Sequence, residues 1–159
     1  MRTSYAGAYR FANATFRAMA TERPDLAAML YPLVRELIAL ELPILAAHEV
    51  SMWGYSVLST LDDTPVRTQA ALAQAIGADK SRIIGTLDEL QQAGLIDRTP
   101  DPDDRRVRLL SITAQGRRVR RAVRKDIQAR EESVLTALSP ADRKTFIRLL
   151  VEIRNAKDS

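Results

Sequence analysis

The chain has 159 residues, enough for one domain with a sizeable core, and its 46% hydrophobic and 28% charged residues are those of an ordinary globular protein. It holds no cysteine and one histidine, which excludes disulfides, thiolate zinc sites and cysteine redox sensing and leaves almost nothing for a histidine metal site or catalytic dyad. The formal net charge is +4; no run approaches the ~20 apolar residues of a membrane span or the core of a signal peptide, so the expected location is the cytoplasm, with no membrane partner.

Residues 1–22 read as an N-terminal extension in which residues 4–20, with Tyr5, Tyr9 and Phe16, carry a faint helical signal. Pro24 and Asp25 open the first strong helix. Leu26, Leu30, Leu33, Leu37, Leu40 and Ile44 then recur at alternating spacings of 4 and 3, the seam of a helix packed along another helix. Pro32 predicts a kink in it and Pro43 its end. Ser51 can cap a short helix to about Leu61 with Val57, Leu58 and Leu61 inward, closed by the turn "DDTP". Thr68 caps "QAALAQAI" and Gly77 ends it; Asp79 caps "KSRIIGTLDELQQA" and Gly94 stops it. Two short capped helices joined by "GAD" make a helix-turn-helix.

After Gly94 the period changes. "LIDRT" and "VRLLSI" read as a hairpin with a long charged tip. Thr113 caps a long helix to about Leu138, with Val119, Val123, Ile127 and Val134 on its apolar side. Ser139-Pro140 starts the last helix, with Asp142 at a capping-box position and Phe146, Leu149, Leu150 and Ile153 as its expected buried face. The expected fold class is mainly α with a small β-hairpin wing, a winged helix-turn-helix flanked by long helices. Residues 48–112 form the winged domain, and residues 23–47 and 113–157 a helical platform.

Charge is distributed unevenly along this plan. From Lys80 to Lys125 twelve basic side chains face six acidic ones, a local excess of +6 that exceeds the net charge of the whole chain. In the second short helix Ile83, Leu87 and Leu90 point inward, leaving Ser81, Arg82, Gly85, Asp88 and Gln92 outward. Lys80 and Arg82 can reach phosphates or guanine edges, and Ser81 and Thr86 can donate to either. Asp88 and Glu89 oppose deep insertion of the helix's second half. Gly85 costs ~1 kcal/mol in a helix interior; either the helix accepts that loss or a close approach to DNA or another backbone rewards the missing side chain.

The stretch "DPDDRRVRLLSIT" carries the wing. Asp101-Pro102-Asp103 is turn chemistry. Asp104 stands two residues before Arg106 and can hold its guanidinium by a charge-assisted pair, a pose suited to a narrow minor groove, with Arg105 and Arg108 flanking on phosphates. A plain salt-bridged turn is the rival reading. A Ca²⁺ or Mg²⁺ loop is not supported, because the EF-hand spacing is missing and arginines adjoin. In "RRVRRAVRK" the charges read as a solvated face, from which Arg117 and Arg118 can add phosphate contacts if the helix starts beside the wing.

Residues 72–117, "LAQAIGADKSRIIGTLDELQQAGLIDRTPDPDDRRVRLLSITAQGR", closely resemble the core of MarR-family transcriptional regulators: "KSRIIGTLDEL", "GLIDR", "DPDDRR" and "ITAQGR" fall in the family's order and spacing. Residues 1–22 lie outside the resemblance. It implies a homodimer built by the first helix and the last two, with two winged domains on a pseudo-palindrome. It places the recognition helix at 79–93 and the wing at 97–108, with Asp104 orienting the minor-groove Arg106. Thr68 and Gln69, at the start of the preceding helix, complete the DNA-binding set. Gly85 departs from the basic or polar residue common at that position. The resemblance further implies a small aromatic acid or phenol-like effector in a crevice near His48, Trp53 and Tyr55, although His48 as a helix-end residue and Trp53 as core are the plainer readings. The function expected is a non-enzymatic, sequence-specific regulator of transcription on double-stranded DNA, most often a repressor in this family, with no cofactor and no metal. The alternatives are a protein-binding winged helix or a nonspecific DNA-binding protein.

Overall fold

A computed structural model describes residues 24–63 and 68–156, leaving aside the side chains of Lys80 and Arg82. The helix expected over 4–20 and the Thr64-Pro65 end of the "DDTP" turn lie outside the described residues. Among the described residues six helices and one hairpin follow in chain order: α1 (Leu26–Ala47), α2 (Met52–Asp63), α3 (Gln69–Ala75), α4 (Lys80–Gln92), β1 (Ile96–Pro100), β2 (Arg108–Ile112), α5 (Ala114–Leu135) and α6 (Pro140–Asn155). Their packing separates two units, divided between Ala39 and Leu40.

In the first unit, α1 presents Leu26, Met29, Leu30, Tyr31, Val34 and Ile38 to solvent, with the Arg35 guanidinium 6.0 Å from the centre of the Tyr31 ring. Leu33 and Leu37 of the expected seam are half-buried. The helix does not end at Pro43. It runs four residues further, to Ala47, because a proline inside a helix forfeits one hydrogen bond without reversing the chain. The stop comes at Glu49, which turns left-handed with φ 55, while the His48 N–H donates to the Ile44 carbonyl at 3.2 Å and the Val50 N–H to the Leu45 carbonyl at 3.0 Å.

The larger apolar cluster of the second unit joins α2, α3, α4 and the hairpin. Val57 and Leu58 of α2, Leu72 of α3, Ile83, Leu87 and Leu90 of α4, and Leu95, Ile96, Leu110 and Ile112 of the hairpin are buried together. Polar caps set where each helix begins. Ser51 Oγ accepts from the Gly54 N–H at 3.0 Å, Thr68 Oγ1 from Ala71 at 3.2 Å, and Asp79 Oδ1 from Ser81 at 2.9 Å. The two turns after α3 and α4 are left-handed glycines, Gly77 at φ 64 and Gly94 at φ 69. The strands pair antiparallel from Ile96↔Ile112 to Pro100↔Arg108.

Helix α5 starts against the hairpin base. Thr113 caps it by accepting from the Gly116 N–H at 2.9 Å, and its own hydroxyl donates to the Gly94 carbonyl at 2.8 Å. Gly116 lies so close to the Leu95 carbonyl that a Cβ there would overlap it. Further along, Val123 and Ile127 pack with Leu45 in a second apolar cluster. The helix closes at Leu135, three residues before the expected end, with Thr136 as its cap. At the start of α6 Ser139 Oγ accepts from the Asp142 N–H at 3.2 Å and its hydroxyl donates to Asp142 Oδ2 at 2.7 Å, so the Asp142 carboxylate meets the capping side chain rather than the Ser139 N–H that a capping box uses. The apolar face expected to be buried on α6 is open: Leu149, Leu150 and Ile153 are exposed, Ile153 by 60%, because no described element covers it.

Where α1 and α5 carry acids, burial works against charge. The Glu41 carboxyl is held above its ordinary range by burial first and the Glu131 charge second. Glu131 is raised by burial and then by Glu132. A raised carboxyl favours the protonated folded state, so this contribution to stability is complete below the ordinary carboxylate pKa and is lost as pH rises through the raised value. Glu41→Gln is therefore expected to melt above the wild type at neutral pH, with the gap closing toward pH ~4. Melting curves at the two pH values check this, and identical differences at both would contradict it.

Candidate nucleic-acid interface

Helix α4 buries Ile83, Leu87 and Leu90 and leaves Ser81, Gly85, Asp88 and Gln92 exposed, as its periodicity predicts. Lys80 and Arg82 stand in its first turn by backbone position. The Ser81 hydroxyl donates to Asp79 Oδ1 at 2.8 Å, so in this arrangement it offers an incoming group its lone pairs rather than its proton. Thr86 is half-buried. Around Gly85 nothing lies within 4 Å of where a Cβ would sit; the open space belongs to the outside of the helix, and packing within the described chain does not require glycine there. Asp88, which charge alone set against phosphate, is paired: Arg98 Nη2 of β1 donates to its Oδ1 at 2.6 Å. That bond also ties α4 to the root of the wing.

The wing tip is a set of backbone-directed aspartates. Asp101 Oδ1 accepts from the Asp103 N–H at 2.9 Å, and the Asp101 and Val107 N–H groups donate across the loop to Val107 and Asp104 carbonyls. Asp104 then grips Arg106 at three points. Its Oδ1 accepts from the Arg106 N–H at 3.0 Å and from Nε at 3.0 Å, and its Oδ2 accepts from Nη2 at 3.1 Å. The Arg106 side-chain hydrogen bonds hold the Asp104 carboxyl below the usual range, and the backbone bond adds to this; Arg106 is raised in turn by the same pair. The Arg106 side chain is nevertheless 91% exposed. It is fixed in direction and free of cover. Arg105 and Arg108 are also exposed. Thr68, Gln69 and Ala70 face Arg106, Val107 and Arg108 across an open cleft of about 290 Å³, so the structure brings the start of α3 and the wing together.

Residues 50–107 match the MarR family. The stretch that holds the winged helix-turn-helix is similar to that family. A putative transcriptional regulatory protein for the hcr operon of Thauera aromatica is 32% identical over 96 residues, which are 60% of this chain and 58% of that protein, so the chain spans under two thirds of this relative. Among solved structures, the transcriptional repressor CouR bound to a 23-mer DNA duplex superposes with a TM-score of 0.69 at 27% identity, covering 82% of this chain and 92% of CouR. CouR from Rhodococcus jostii RHA1 bound to p-coumaroyl-CoA gives 0.65 at 27% identity, covering 81% and 91%.

The three residues expected near an effector have different surroundings. His48 Nε2 meets Asp126 Oδ2 of α5 at 2.7 Å, a tie between the end of α1 and α5. Trp53 is half-buried and belongs to neither buried cluster, so the core reading of it does not hold. Tyr55 lines an open cavity of about 310 Å³ with Ser56, Ser59, Thr60, Ala75 and Ile76.

Composition and periodicity missed an ion network behind the interface. Arg120, placed on a solvated face by its neighbours, is only 7% exposed. Its Nη1 donates to Asp62 at 3.0 Å and its Nη2 to both oxygens of Asp63 at 2.6 Å. Arg117, offered above as a phosphate contact, instead donates Nε to Asp62 at 3.0 Å. One signal was available: two acids in the last turn of α2 oppose its helix dipole and require a cation from elsewhere. Arg120→Met should cost about 2 kcal/mol of unfolding free energy, below the 3–5 typical of a wholly buried pair because Asp63 faces solvent. Urea midpoints measure this, and an unchanged midpoint would mean the network contributes nothing to stability.

Proposed function

We propose that the chain is a sequence-specific, double-stranded-DNA-binding transcriptional regulator that acts as a homodimeric repressor on a pseudo-palindromic operator. The observation that carries this reading is Arg106, pinned at three points by Asp104 yet 91% exposed beside an open recognition helix. A solvated turn has no need to orient a guanidinium left so open to solvent, whereas a narrow minor groove rewards one already aimed. Lys80, Ser81, Arg82 and Thr86 then serve the major groove, with Thr68, Gln69, Arg105 and Arg108 on the flanking phosphates. The CouR complex with duplex DNA supports this assignment by likeness of fold and sequence.

A second copy is supported by apolar surface. Ile147, Leu149, Leu150, Val151 and Ile153 on α6 are exposed together, as are Leu26, Met29, Leu30, Val34 and Ile38 on α1, more than a soluble single chain ordinarily leaves uncovered. Two recognition helices on one face of a duplex set half-site centres roughly one turn, ~10 bp, apart. The effector reading rests on the Tyr55 cavity, whose phenol and three hydroxyls suit a small hydroxylated aromatic acid. The CouR complex with an aromatic acyl-CoA extends the class to thioesters.

Arg106→Ala is expected to weaken operator binding about tenfold or more, with sedimentation still reporting a dimer. Asp104→Ala, which leaves the arginine in place but unaimed, should lose less. Unchanged affinity in both variants would return the pair to the role of a surface turn.

A further inference from the structure

One exposed side chain is out of place on the surface described so far. Among the described residues, large apolar side chains left open to solvent stand on α1 and α6, with a single exception: Ile84 of α4, 45% exposed. It is part of neither apolar cluster, although its neighbour Ile83 is buried. On the helical wheel it lies about 40° from Asp88 and about 60° from Ser81, on the flank of the face turned away from the core. A β-branched residue in that position has neither helix propensity nor burial in its favour. Its companions Lys80, Ser81, Arg82 and Thr86 all carry hydrogen-bonding groups; Ile84 carries none.

The edges of base pairs in a major groove offer donors, acceptors and one apolar group, the C5-methyl of thymine. An isoleucine can gain from that group alone. Gly85 follows directly, with nothing within 4 Å of the place its Cβ would occupy, so no side chain at 85 holds the helix away from the base edges and a short aliphatic branch can reach them. We propose that Ile84 is a specificity residue that reads thymine by burying its branched side chain against the 5-methyl group in each half-site. This rests on the DNA-binding reading given above and assigns to that surface a residue without polar chemistry.

Deoxyuridine provides the probe, since it pairs as thymine does and lacks only the methyl. Genomic fragments retained by the full chain would be trimmed to a minimal site and each thymine replaced in turn. The wild type should bind about fourfold more weakly when one particular thymine of a half-site is replaced, the loss expected for one buried methyl group. Ile84→Ala should bind the thymine and deoxyuridine duplexes equally, with an unchanged dimer and circular dichroism, and Ile84→Val should recover part of the discrimination. Selective retention with no thymine-to-deoxyuridine difference at any position, or full discrimination surviving in Ile84→Ala, overturns this inference alone. A wild type that selects no fragment overturns the DNA reading and this inference with it.

Discussion

The placement of α4 and the wing depends on the few ångströms between Gly116 and Leu95. A helix of 22 residues begins there, and its first turn passes the hairpin base so closely that even a Cβ would collide with the Leu95 carbonyl. Thr113 fixes the same point from the other side, capping α5 while donating to the Gly94 carbonyl. Since Gly94 and Leu95 end α4 and begin the wing, α5 is joined directly to both elements proposed to meet DNA. Arg117 and Arg120, one turn on, hold Asp62 and Asp63 at the end of α2, and Asp126 meets His48 beyond them. Displacing α5 thus moves the hairpin base and α2 with it.

Charge on this molecule is sorted by whether it is already answered. The basic excess between Lys80 and Lys125 includes arginines that carboxylates already answer, in two settings. Arg98, Arg117 and Arg120 are answered by carboxylates and hold elements together. Arg106 is answered too, but at a tip, so that its pairing aims the guanidinium without covering it. An arginine oriented in advance loses less freedom when it meets a phosphate-lined groove. A count of charges cannot make this distinction; the geometry of the partners can.

The winged helix-turn-helix was legible because its determinants are local. Thr68, Asp79, Gly77, Gly94 and Thr113 each act within a turn of their own position, and all five serve as caps or turns where the pattern placed them. The Asp104–Arg106 pair, two residues apart, was readable for the same reason. What could not be read joins residues distant in sequence. Asp88 and Arg98 are ten positions apart, and Asp62 and Arg120 fifty-eight; no periodicity encodes such pairs. The cost of Pro43 to a helix is not a stop; the stop requires the left-handed Glu49. The face of α6 is apolar as its pattern indicates, yet it is open within the single chain, because a pattern records that a face avoids water and not what covers it.

The central claim is that one rigid surface, α4 with the wing, recognises a particular duplex sequence. The most direct measurement is retention of a mixed pool of genomic fragments, including the DNA upstream of the chain's own gene, by the full chain across a salt series. The account predicts that a few fragments are enriched and that affinity falls steeply with salt, with a log–log slope reflecting several phosphate contacts. Uniform retention, or none at any salt concentration, would contradict it.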